Sequence, residues 1–313
     1  MRDVLDIGAG ESGHRPMIAE PSVPTGTMAA VTPSTSRATI RPMLPADVAG
    51  ATGAILRDHW GDRRTWFEFA TTQPECRPVV AELDGALAGT GVGTRNGSVG
   101  WVGTIWVEPE RRGGGLGRAL TQAVIDGLQA VGCRTLVLVA TEEGLPLYER
   151  MGFELQSRYR ILEAPGLDPA AVAPDPEVRP FARADLDTIC ALDLAATGED
   201  RGHAIRRFAS PETSKVLDVD GAIRGFVIRA PWGGGATVAR EPGDAMRLLE
   251  ARRRASGVGG RVRVGLVENN TSGLAALEAA GLAPIWSAPR LVRGEPLEWH
   301  PDWIWGQFNH AMG

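Results

Sequence analysis

Residues 106–120 read WVEPERRGGGLGRAL. Upstream lies GSVGWVGTIW (97–106), whose β-branched and aromatic residues predict a strand. Downstream, Leu116, Leu120, Val124, Leu128 and Val131 recur at helical spacing, which predicts a helix over 115–132. The glycines Gly113, Gly114, Gly115 and Gly117 therefore fall in a strand-to-helix turn. Without a Cβ, such a turn can aim main-chain N–H groups inward and let an anion approach closely. The helix start adds unsatisfied N–H donors and the positive end of its dipole. Arg111, Arg112 and Arg118 add full charges. Charge-assisted hydrogen bonds of about 1.5–3 kcal/mol each suffice, in number, to hold a pyrophosphate. The spacing fits neither a GxxxxGK[ST] phosphate loop nor the GxGxxG of a dinucleotide site.

Working outward, TLVLVA (135–140) predicts a buried strand, and LYERMGF (147–153) a short helix ending at Gly152. Upstream come a strand (38–43), a helix (45–58), a second helix around Trp66 and Phe69, and strands at 78–83 and 86–94; strands around 153–162 are expected to close the unit. In this order, Arg112, Gly115 and Gly117 match [QR]xxGx[GA]. The run resembles motif A of the GNAT superfamily of N-acetyltransferases. Val107-x-Pro109 and the tyrosine of LYERMGF agree with that superfamily at the expected distances.

The resemblance implies a mixed-sheet α/β fold and acetyl-CoA as cosubstrate, with no metal. It implies that the loop Arg112, Gly113, Gly114, Gly115, Leu116 and Gly117 holds the pyrophosphate through backbone amides, with Arg118 in the first helical turn behind it. It also implies that Ile105, Trp106 and Val107 splay from the strand 135–140, so that pantetheine lies between them as a pseudo-strand. A free N–H near Val107 then polarises the thioester carbonyl, and Tyr148 protonates the leaving thiolate. The general base stays open. Residues 97–107 hold no carboxylate or histidine, Glu108 adjoins the turn, and a water chain ending on Glu68, Glu82 or a residue further along the chain serves equally. The pleat sends Trp101 and Trp106, five residues apart, to opposite faces. Trp60 and Trp66 lie near where that superfamily's acceptor-binding helices fall, and are read as core in preference to an acceptor pocket.

A second segment opens like the first: ATIRPMLPADV (38–48) is echoed by EVRPFARADLD (177–187). Between them, APGLDPAAVAPDP (164–176) has linker composition. We therefore read two GNAT-like domains in tandem, at 38–163 and 177–313, joined by the linker 164–176 and preceded by a tail, 1–37. The second domain is expected to be degenerate. Its glycines Gly233 to Gly235 precede a strand instead of following it, and Leu277 stands where the tyrosine belongs. Two stretches of it are unusually polar or aromatic: TGEDR (197–201), and EWHPDWIWGQFNHAMG (298–313), which is expected to dock as core or to cover the first unit's acceptor cleft. In the tail, Gly8, Gly10 and Gly13 match GxGxxG, but Pro16, Pro21 and Pro24 follow where a crossover helix is required, so the match is set aside and the tail is expected to be disordered.

Composition sets the outer limits. The 313 residues are 43% apolar and 23% charged, with net charge −5, which suits globular domains and gives no support for nucleic acid as a partner. The 33 basic residues include one lysine, Lys215, as a GC-rich genome would produce. Cys76, Cys133 and Cys190 are widely spaced, forming neither a zinc motif nor a disulfide framework. No apolar run reaches ~18 residues and no secretory h-region opens the chain, so neither a membrane partner nor export is expected, and a cytoplasmic location is. The expected activity is N-acetylation of an amine, on a small molecule or otherwise exposed, by direct attack on the thioester; the alternative is a CoA-binding regulatory module without catalysis. The oligomeric state is not fixed, and a homodimer is one option.

Overall fold

The computed structural model describes residues 38–313; the tail with Gly8, Gly10 and Gly13 lies outside them. The first unit runs β1 (Thr39–Pro42), α1 (Val48–Arg57), α2 (Arg64–Ala70), β2 (Cys76–Leu83), β3 (Ala86–Asn96), β4 (Val99–Val107), α3 (Leu116–Gln129), β5 (Thr135–Val139), α4 (Leu145–Arg150) and β6 (Glu154–Pro165). The second runs β7 (Val178–Pro180), α5 (Leu186–Thr197), α6 (Gly202–Phe208), β8 (Ser214–Val219), β9 (Ala222–Ile228), β10 (Thr237–Ala239), α7 (Pro242–Ser256), β11 (Arg261–Val267), α8 (Thr271–Ala279), β12 (Ala283–Gly294) and β13 (Ile304–Gly306). No described helix is long and apolar enough to cross a membrane.

The repeated opening has a physical basis. Arg41 donates to Asp47 at 2.7 Å, and Arg179 to Asp185 at 2.8 Å. Each aspartate also accepts from the main chain three residues earlier, at Leu44 and Ala182. In both units this clamp fixes the angle between the first strand and the first helix.

The strands form an eight-stranded sheet, β1-β2-β3-β4-β5-β12-β6-β11, and a five-stranded sheet, β13-β10-β9-β8-β7. The expectation that the strand after α4 closes the first unit is not met. β12, from the second unit, pairs with β5 from Arg290↔Val139 to Gly294↔Thr135. β6 lies on the far side of β12 and pairs with β11 from Arg261↔Pro165 to Val267↔Tyr159. The two units have exchanged their last strands. The connector 166–177 is pinned as well: Gly166 and Leu167 donate to the Gly260 and Arg253 carbonyls, and Asp175 pairs with Arg247.

One face of the large sheet is covered by α3, through Leu116, Leu120, Val124 and Leu128. The opposite face carries an aromatic core joining both units, in which Trp66, Phe69, Phe208 and Trp232 meet at ring distances of 5.0–5.8 Å. Strand β4 corrects one expectation about its faces. Its register against β3 slips between Gly103↔Val92 and Trp106↔Thr90, so Thr104 and Ile105 oppose Gly91 alone. This bulge adds one residue to the alternation. Trp101 and Trp106 therefore share the face away from α3, both buried, while Val102, Ile105 and Val107 face α3.

Candidate functional site

The bulge, the end of β4 and the start of α3 form one constellation. Thr104 holds a φ of +52°, costly for a β-branched residue. It is fixed there by Trp66, whose Nε1 donates to the Thr104 hydroxyl at 3.0 Å, and by the Thr90 hydroxyl, which donates to its carbonyl at 3.0 Å. β4 and β5 run parallel and pair from Val99↔Thr135 to Trp101↔Val137. Beyond Trp101 they diverge, and residues 102–107 present a backbone edge that no described strand covers. Ile105, Trp106 and Val107, the positions expected to line an extended ligand, lie along that edge.

At the top of the opening the glycine loop turns into α3. Gly115 is the residue before the helix, with a φ of +84° that favours glycine. Having no side chain, it leaves the first-turn N–H groups of Leu116, Gly117 and Arg118 uncapped. A Cβ placed on Gly113 or Gly115 would meet nothing within 4 Å, so the loop opens to free space. Leu116 anchors the loop by burying its side chain against Ala81, Ala88 and Leu120. Arg118 is exposed beside the opening.

Arg112 does something the pattern of residues did not disclose. Its Nε donates to the Val107 carbonyl at 3.1 Å, and its guanidinium pairs with Asp58 at the end of α1. Asp58 also accepts from Trp106 Nε1 at 2.8 Å. The side chain thus straps the loop to the end of β4, leaving the main chain to face a ligand. Asp58 carried no signal in the sequence.

Tyr148 on α4 is buried, edge-to-face with Phe153 at 6.2 Å. Burial pushes its phenol up to about 12, so it keeps its proton at neutral pH. The neighbouring Leu147 reaches the start of α3: a Cβ on Gly117 would lie 3.7 Å from Leu147 Cδ2 and from Val107 Cγ2. The helix bearing the tyrosine therefore flanks both the loop and the end of β4. Among the carboxylates considered as base, Glu82 is paired with Arg41 at 2.6 Å and Glu68 is exposed on α2. Burial raises all three thiols, Cys76 to about 12, leaving no reactive thiolate among them.

The face of β4 opposite α3 is completed by the second unit. Glu199, buried, accepts from Trp101 Nε1 at 2.7 Å and from Asn96 Nδ2 at 2.8 Å. Asn96 also donates to the Met312 carbonyl and meets His203 at 2.9 Å. Beside Glu199, Arg201 and Asp193 form a fully buried pair at 2.6 Å. The end of the chain crosses this face: Gly103 leaves room for Ala311, whose Cβ lies 2.3 Å from where a Cβ on residue 103 would stand. Both stretches singled out for polarity or aromatic content thus converge on β4.

In the second unit, β10 and β11 occupy the places of β4 and β5. β13 pairs antiparallel with β10 and lies between β10 and β11. Trp305 sits in that core with Leu248, Val264, Leu266 and Leu277. The C-terminal aromatic stretch therefore docks as core at residues 304–306 and packs residues 311–312 against the first unit's strands.

Comparison with known proteins agrees with this geometry. Residues 48–153 match the acetyltransferase (GNAT) family, and residues 189–306 match an acetyltransferase (GNAT) domain. An uncharacterised N-acetyltransferase of Bacillus subtilis is 28% identical over 177 residues, which span 55% of this chain and 61% of that protein. Among solved structures, a Pyrococcus horikoshii protein assigned to the acetyltransferases superposes with a TM-score of 0.75 at 19% identity, over 88% of this chain and 96% of that one. A tandem GNAT protein from the clavulanic acid biosynthesis pathway superposes with a TM-score of 0.55 at 16% identity, over 83% and 99%. Two GNAT units in one chain, each matched by its own family, make this protein a tandem member of the GNAT superfamily of acyltransferases.

Proposed function

We propose that the first unit is an acetyl-CoA-dependent N-acetyltransferase acting on an amine of a small molecule or an otherwise exposed amine, and that the second unit holds no acetyl-CoA. The observation that carries this is the parting of β4 from β5 beyond Trp101↔Val137, directly beneath an uncapped helix start and an open glycine loop. The residues fit the cosubstrate. The first-turn N–H groups of α3 and the loop from Arg112 to Gly117 suit a pyrophosphate, with Arg118 adding charge. The bare edge of residues 102–107 suits the amides of an extended pantetheine arm.

Acetyl-CoA supplies the activated acyl group, and the chain supplies position and proton traffic. An N–H near Val107 polarises the thioester carbonyl and strengthens its hydrogen bond as oxyanion charge develops. The incoming amine attacks that carbon, the C–S bond breaks, Tyr148 gives its proton to the departing sulfur, and the proton lost by the amine nitrogen returns to the tyrosine through solvent. In the second unit the corresponding edge of β10 is paired with β13, and Leu277 replaces the tyrosine. A thiol-release screen over amino acids, polyamines, aminoglycosides and other amines tests the reading. Acetyl-CoA turnover that depends on one class of amine supports it; binding of acetyl-CoA with no amine-dependent release across the screen counts against transfer.

A further inference from the structure

The five-stranded sheet ends at β13 and the eight-stranded sheet at β11, and no ladder joins these two edges. In the gap between them lies a cavity of about 310 Å³, at the lower end of the ~300–1,000 Å³ typical of small-molecule sites. Trp286 and His310 line it, stacked on each other at 5.5 Å with 25° between their planes, and Tyr159 stacks on His310 at 5.2 Å. Ile161, Val264 and Ile285 supply apolar surface. Counted across the sheet, β11 is four strands from β4, while His310 reaches the cavity from the segment that packs on Gly103.

Gln307 decides the chemistry. It is only 9% exposed, it lines this cavity, and neither its Oε1 nor its Nε2 has a hydrogen-bond partner in the protein. A buried amide with no partner is unfavourable, so an orphaned one lining a cavity points to a ligand. The nearby carboxylate of Glu163 is engaged, by Arg261 and by Arg263 at 2.8 Å. A primary amide presents a donor and an acceptor side by side. Its complement is a group with an acceptor beside a donor, as in a lactam or carboxamide.

We propose that this cavity is a second ligand site, separate from the Arg112–Arg118 loop, that takes a small planar molecule bearing a lactam or carboxamide edge. The ring lies against Trp286 and the apolar surface of Ile161, Val264 and Ile285, and the edge pairs with Gln307. The test titrates the full chain with nicotinamide and with 4-quinazolinone, using 3-acetylpyridine as the neutral comparator that lacks the N–H donor, by saturation-transfer NMR and calorimetry. Both amides are expected to bind saturably, 3-acetylpyridine at least tenfold more weakly than nicotinamide. Gln307→Leu should weaken both amides at least tenfold without lowering Tm, because it removes a buried amide that the fold does not use. The proposal is overturned if neither amide binds saturably, if 3-acetylpyridine binds as tightly as nicotinamide, or if Gln307→Leu leaves amide binding unchanged. A fall in Tm of several degrees for that variant also overturns it, by giving the amide to the fold.

Discussion

Tyr148 shows how one position acquires a role from its surroundings. Its phenol, raised to about 12 by burial, holds a proton at every pH where the enzyme would work. Tyr148→Phe keeps the ring in its contact with Phe153 and removes only the hydroxyl. We expect kcat to fall about 10²–10⁴-fold, the range for a lost general acid, with acetyl-CoA affinity within about twofold; equal losses in kcat and affinity would assign the hydroxyl to binding. His310 is a second case. Burial, with Arg63 nearby, pulls it down to about 4. A folded-state value below the ordinary 6.5 means that the unfolded chain binds the proton more readily, so the contribution is full above pH 6.5 and lost as pH falls toward 4. His310→Phe should remove up to about 3 kcal/mol of acid-dependent destabilisation in that window. Urea midpoints measured between pH 7 and 4 check this, and parallel curves for the two proteins would refute it. The glycine loop was legible because its chemistry is local, in adjacent residues. Asp58 was not, because the Arg112 strap joins positions 54 residues apart that carry no shared pattern.

Among the elements, β4 and β13 decide which groove is open. The bulge at Thr104 left no mark in the sequence, since no glycine signals its positive φ; Trp66 and Thr90 hold it from other elements. For that reason the pleat argument for Trp101 and Trp106 went astray while the strand itself was placed to within a residue or two. β13 is three residues long, too short for a periodic signal, and only its tryptophans drew notice. Trp305→Ala should cost about 3–5 kcal/mol, the usual range for a buried tryptophan. Trp303→Ala, which loses a half-buried contact with the Arg240 guanidinium, should cost about 1 kcal/mol or less. Chemical denaturation of both variants checks the contrast, and similar losses would mean that β13 does not form the second unit's core.

At the scale of the whole molecule, the exchange of β6 and β12 makes the two units one folding body. Sequence patterning could show two repeats, because each has the same Arg–Pro opening and the same order of elements. It could not show which last strand pairs with which sheet, because β6 and β12 offer similar mixed faces and their partners are fixed only by the path of the connector. A chain of residues 38–176 alone lacks β12 beside β5 and should not fold, and a chain of residues 177–313 lacks β6 beside β11. Circular dichroism of each half and of their mixture checks this: two halves that each fold alone with native-like cooperativity would contradict the exchange. The buried Arg201–Asp193 pair lies in the same seam, where removing one partner typically costs about 3–5 kcal/mol.

The account as a whole rests on one bare strand edge, on β4, and one paired strand edge, on β10. Calorimetric titration of the full chain with acetyl-CoA, beside a folded Gly115→Glu variant, measures both at once. The account predicts one site per chain for the native protein. In the variant, a carboxylate set at the loop opposes the pyrophosphate, and no measurable binding should remain. Two sites per chain, or one site of unchanged affinity in Gly115→Glu, would contradict it.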